Sequence, residues 1–151
     1  MTLAQRLIEL GIILPEVAAP VAAYTPALTS LGTVRTSGQL PFDDGALVSV
    51  GACGGPEVSL EQAKAAARQC ALNAIAAAAE AAGGLDRLRS ATKVTGFVAS
   101  TPDFFDQPQV INGASELLQE IFGLPHIRSA VGVSALPLNA TVEVEVEFSL
   151  A

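Results

Sequence analysis

Residues 59–84 constrain the fold of this chain more than any other stretch. Ser59-Leu60-Glu61-Gln62 reads as a capping box, with the serine hydroxyl serving the first turn and the glutamine side chain reaching back. Alanine-rich helix formers continue to Ala82, and Gly83-Gly84 provides the left-handed residue on which a helix ends. Leu60, Ala63, Ala67, Cys70, Ala71, Ala74, Ile75 and Ala78 recur at helical spacing and form one apolar face. Small side chains on that face demand close packing against whatever lies beneath. Asn73 stands at the edge of the face, where a buried amide tying down a loop is favoured over a ligand site.

The surface beneath is supplied by strands. Val142, Val144, Val146 and Phe148 alternate with Glu143, Glu145 and Glu147, the pattern of a half-buried strand over Thr141–Leu150. Before it, Arg128–Ala135 reads as another strand, and a tight turn at Leu138-Asn139 would join the two as a hairpin. Further strands are expected at Ala23–Leu28 and Gly32–Gln39, joined at Thr29-Ser30-Leu31-Gly32. Ala46–Val50, after the Asp43-Asp44-Gly45 turn, and Ala91–Ser100 complete the set. A Thr2-capped helix covers about Leu3–Leu10 and ends at Gly11, after which Pro15 and Pro20 hold an extended connection. Leu85–Leu88 makes a brief turn, and a second main helix spans Gln107–Phe122, closed by Gly123 and Pro125. This order describes an α+β fold with two main helices on one face of a mixed β-sheet. It is expected to be a single domain over residues 1–151, of which 1–20 form an N-terminal extension with a short helix.

Composition removes several classes of function. Half the residues are apolar and only 15% are charged, which favours surface hidden in an oligomer. A formal charge of −7 without any Lys/Arg cluster opposes the counterion release on which nucleic-acid binding rests. Residues 7–14 are apolar, but Glu9 interrupts them, they are too short to span a membrane, and they lack the preceding positive region (beyond Arg6) and clear cleavage site of a signal peptide. Cys53 and Cys70 lack metal or disulfide spacing, and buried free thiols in a reducing cytoplasm are the expectation.

The chemistry concentrates in a few places. Arg128, Ala130, Gly132 and Ser134 share a strand face, so the guanidinium would stand over an open floor of small residues. Its planar fork suits a carboxylate, although a structural salt bridge with a strand glutamate is an equal alternative. The glutamates are first read as a solvated face; one of them desolvated beside its neighbours would have a raised pKa and could activate water. Ser37 and Gly38 end a strand as an ordinary turn or a pocket rim, and Tyr24, given a strand position, either packs or closes a pocket. Asn112-Gly113 is taken to open the second helix, where Asn112 caps it or reaches a ligand. His126, the only histidine, has no partner for a metal site or a catalytic triad.

Together Ser37-Gly38-Gln39-Leu40-Pro41, Asn112, Arg128-Ser129, Leu136-Pro137 and Val142-Glu143-Val144-Glu145 resemble the YjgF family, best known for the reactive intermediate deaminases (RidA). The resemblance covers about Tyr24 to the C-terminus and fits a divergent subgroup. It implies a chorismate-mutase-like fold and a homotrimer with ligand clefts between subunits. It also implies hydrolysis of enamines and imines such as 2-aminoacrylate and 2-iminopropanoate, with no cofactor and no metal. By resemblance Arg128 clamps the substrate carboxylate and Glu143 positions the attacking water, while Tyr24, Ser37, Gly38 and Asn112 line the cleft. Ala130 stands where active RidA proteins usually carry cysteine; its backbone carbonyl can meet the role. The alternative is a non-catalytic trimer that binds small carboxylates or acts as a regulator. In the assumed hairpin Arg128 and Glu143 lie about six residue steps apart, roughly 20 Å at strand rise, so the cleft would need an irregular register or a second subunit.

Overall fold

Capping chemistry sets the first two helices of the computed structural model, which describes residues 1–17, 19 and 22–151. The elements run α1 (Leu3–Glu9), β1 (Ala27–Ser30), β2 (Thr33–Thr36), β3 (Phe42–Asp43), β4 (Ala46–Leu47), α2 (Leu60–Ala82), β5 (Leu88–Ala99), α3 (Gln107–Phe122), β6 (Ile127–Val133) and β7 (Val142–Leu150). Thr2 and Ser59 each close a capping box, and α2 and α3 end on left-handed Gly83 and Gly123. Among the described residues no helix is long and apolar enough to cross a membrane. Pro15 lies in a connection without regular secondary structure, while Pro20 falls outside the described residues.

Helix α2 is buried on more than its expected stripe. Ala66, Leu72, Ala76 and Ala77 are inside as well, because α2 packs against both the sheet and the neighbouring α3. That double contact is the physical reason for its alanines: bulkier side chains would hold the layers apart. The closest approach falls at Gly113, where an added Cβ would collide with the Lys64 carbonyl oxygen. Asn73 does tie down a loop, its Nδ2 donating to the carbonyls of Leu40 and Phe42 at 3.0 Å each. Gln69, one turn earlier, donates to the Phe42 carbonyl and to Asn73 Oδ1.

Five strands form one sheet in the order β1-β2-β7-β5-β6, and β3-β4 form a separate hairpin. The expected hairpin between the last two strands does not exist. Strand β7 runs antiparallel between β2 and β5, while β6 pairs with β5 in parallel at the sheet edge. Face chemistry decides the order. Val142, Val144, Val146 and Phe148 are all fully or almost fully buried beneath the helices, so β7 belongs in the middle. The corresponding face of β6 carries Arg128, Ala130 and Gly132, which suits an edge. The N-terminal strands are shorter than expected: β1 and β2 are joined by Leu31-Gly32 alone, both at positive φ, so the turn is of two residues rather than four. Asp44-Gly45 makes a similar turn between β3 and β4, and the expected Ala46–Val50 strand extends only over Ala46–Leu47, the length of its partner β3. Strand β5 begins three residues before Ala91, in a register with two irregularities against β7.

Candidate functional site

The sheet separates the expected site residues into two groups. Alternation along each strand decides which residues go where. Arg128 pairs with buried Val94 and Ala130 with Gly96, whose added Cβ would collide with Ile111 of α3. Arg128 and Ala130 therefore lie on the helix side. Glu143 sits between buried Val142 and Val144, so its side chain occupies the opposite, open face. Within one chain Arg128 and Glu143 are two strands apart and on opposite faces, whatever their spacing along the strands.

On the helix side the guanidinium does not stand over an open floor. It lies along α3, donating from Nη1 to Ser115 Oγ (3.1 Å) and from Nη2 to the Pro108 carbonyl (3.2 Å). No strand glutamate pairs with it. Ser115 Oγ is also 2.8 Å from His126 Nε2. Asn112 falls within α3 rather than at its start, where the N-cap is Asp106. It shares the i, i+4, i+7 stripe of Pro108 and Ser115, and so lies on the helix face along which Arg128 runs. Gly132, next but one after Ala130, faces Gln107 and Ser100. His126 is held below the ordinary histidine range first by burial and then by the neighbouring guanidinium.

The open face is more polar. Glu143 is half-buried, and desolvation, then the charge of Glu145, pushes its carboxyl above the usual range. Its packing partner is Gly38: an added Cβ there would stand 2.6 Å from Glu143 Oε1. Gly38 is held in place because Gln39 bridges Val144 through two backbone hydrogen bonds, at 2.8 and 3.0 Å. Ser37 gives its hydroxyl to the Thr25 carbonyl at 2.7 Å, which fixes the bend ahead of β1. Tyr24 lies in that bend, not in a strand, and is 47% exposed. Tyr24 and Ser37 line a depression of about 550 Å3 whose wall includes Arg35, Lys93, Glu145 and Glu147.

Arg35, Lys93, Ser115 and His126 are the residues that sequence patterning missed as parts of these surfaces. Arg35 and Lys93 flank Glu147 in the sheet register, which becomes visible only once β7 lies between β2 and β5. Among the described residues the close ion pairs are Arg6–Glu9 and Lys64–Glu116, so the depression's cations face it without a paired carboxylate. Ser115 stands one helical turn after Asn112, a spacing that could have drawn attention to it. Among the described residues no three His, Cys, Asp or Glu side chains converge as metal ligands.

The profile of the family described as YjgF/chorismate mutase-like, putative endoribonuclease, matches residues 4–148. The match therefore takes in α1, and the likeness begins well before Tyr24. Protein TCP17 of Trypanosoma cruzi is 41% identical over 149 residues, covering 94% of this chain and 90% of its own. The crystal structure of a putative endoribonuclease from Shewanella oneidensis superposes with a TM-score of 0.93 at 34% identity, over 99% of this chain and all of the other. RidA from an Antarctic Psychrobacter is 29% identical with a TM-score of 0.61, over 89% of this chain and 94% of that one.

Proposed function

The chain belongs to the YjgF/chorismate mutase-like family, and we propose that within it this protein is a reactive intermediate deaminase that hydrolyses small carboxylate-bearing enamines and imines. The observation that carries the reading is the guanidinium of Arg128, held by Ser115 and Pro108 with further N–H donors left over. Those donors would take the carboxylate of 2-iminopropanoate. Water, oriented by the half-buried carboxylate of Glu143, would add to the imine carbon, and the resulting carbinolamine would expel ammonia to leave pyruvate. An imine is already electrophilic, so positioning supplies most of what the reaction needs. Ala130 in place of cysteine leaves its backbone carbonyl available beside Arg128.

Because Arg128 and Glu143 occupy opposite faces of one sheet, the cleft we propose joins Arg128 of one protomer to Glu143 of another in a homotrimer. Exposed Ile127 and Val131 on the open side of β6, at 69% and 43%, are apolar surface suited to such contacts. A cytoplasmic location suits the two buried free thiols, Cys53 and Cys70. The endoribonuclease label of some relatives fits this chain poorly. Its net charge is −7, and its only histidine is engaged with Ser115.

The test follows ammonia and pyruvate release from 2-iminopropanoate generated in situ by an amino-acid oxidase. The wild type is expected to accelerate release well above Arg128→Ala, and equal rates would overturn the reading. The alternative, a non-catalytic carboxylate-binding or regulatory trimer, draws on the same separation of Arg128 from Glu143. Glu143→Gln distinguishes the two: under the deaminase reading turnover collapses while pyruvate still binds.

A further inference from the structure

We propose that Ser115 and His126 are positioning residues that hold the Arg128 guanidinium in its carboxylate-receiving orientation. The inference rests on the reading of Arg128 as the carboxylate clamp. An arginine on an edge strand followed by Ala130 and Gly132 has no bulky neighbour on its own face to fix a long side chain. Each such chain has about 2 kcal/mol of rotamer entropy to lose when it is ordered. Here α3 supplies the missing constraint through the Ser115 hydroxyl and the Pro108 carbonyl.

The direction of the first hydrogen bond is fixed. A guanidinium has donors and no acceptor, so Ser115 Oγ must accept from Nη1. Its own proton is then free for His126 Nε2 at 2.8 Å, and the proposal places it there, with that ring nitrogen bare and the ring proton on Nδ1. Burial and the adjacent Arg128, which hold His126 below its ordinary range, favour the neutral ring that such a bond needs. Glu116, next to Ser115, is turned to Lys64 of α2, with Oε2 3.2 Å from Nζ. With the ring proton on Nδ1, the chain Arg128 to Ser115 to His126 runs one way and aligns the guanidinium. Ser115 and His126 touch no reacting atom in this arrangement; they act through Arg128.

Because His126 is the only histidine, its ring can be read without ambiguity by nitrogen-15 NMR while pyruvate is titrated as a carboxylate probe. In the wild type the ring proton is expected on Nδ1. Ser115→Ala is expected to weaken pyruvate binding about tenfold and to raise KM for 2-iminopropanoate with kcat retained. Ser115→Thr, which keeps the hydroxyl, should restore both. Arg128→Ala should abolish pyruvate binding. A wild-type ring proton on Nε2 would overturn the inference, as would unchanged pyruvate affinity in Ser115→Ala while Arg128→Ala binds none. Equal loss of affinity and melting temperature in Ser115→Ala and Ser115→Thr would also overturn it, leaving only a structural strut. Undiminished pyruvate binding in Arg128→Ala would instead remove the carboxylate-clamp reading itself.

Discussion

Glu143 is the residue at which packing and charge meet most directly. Its carboxyl occupies the space that a side chain at Gly38 would need, and loss of water, then the charge of Glu145, disfavour its ionised form. A carboxyl raised in the folded state binds more protons there than in the unfolded chain. Stability is therefore lost as pH rises from the ordinary glutamate value through the raised one, and is recovered on acidification. Glu143→Gln removes that penalty, so it should melt at a higher temperature than the wild type near neutral pH. The two should converge near pH 4. Thermal denaturation at both pH values checks this, and a wild type more stable than Glu143→Gln at neutral pH would contradict it. Single residues are legible in the sequence where their chemistry is local. An amide beside an apolar helical stripe has few options except nearby carbonyls, and Asn73 takes those of Leu40 and Phe42. Arg128 was legible as a residue type but not by its partners. Ser115 and Pro108 reach it only because β6 is laid beside α3, and no spacing within either segment encodes that.

At the scale of elements, the helices were legible nearly to the residue because their signals are short-range: capping boxes at Thr2 and Ser59, left-handed glycines at 83 and 123. Strand order was not. A turn-like Leu138-Asn139 between two strands suggests a hairpin, and both residues do adopt positive φ. The pairing is decided instead by which strand carries the larger apolar face, a competition across the whole sheet. Valine and phenylalanine win the centre for β7, and arginine, alanine and glycine leave β6 at the edge. Gly113 marks the other contact hidden from local pattern. Asn112-Gly113 suggests a helix start in the sequence, whereas the glycine lies inside α3 where it meets α2. Gly113→Ala drives a methyl against the Lys64 backbone, which cannot yield as a flexible side chain does. Overpacking of this kind costs about 1–3 kcal/mol. A melting temperature lowered by several degrees, with helix content retained by circular dichroism, is the expected result. An unchanged temperature would mean that the helices do not approach so closely.

At the scale of the molecule, the consequence of the sheet is its two-sidedness. One side is closed by α2 and α3, with Arg128 at its margin; the other presents Glu143, the polar depression and exposed Ile127 and Val131. A reaction that uses both Arg128 and Glu143 cannot be completed by one chain folded this way. The proposed trimer removes the difficulty if each cleft takes its arginine from one protomer and its glutamate from the next. This makes a quantitative demand on subunit mixing. Trimers of Arg128→Ala alone or of Glu143→Gln alone have no intact cleft. When the two variants are unfolded together in equal amounts and refolded, some clefts draw Arg128 from one variant and Glu143 from the other. Random assortment makes such clefts about a quarter of the total, so the mixture should recover about a quarter of wild-type deaminase activity. Light scattering of the same samples should give a mass of three 15.4 kDa chains. A mixture as inactive as its parents, in particles of the trimer mass, would place Arg128 and Glu143 in separate sites and end the shared-cleft mechanism.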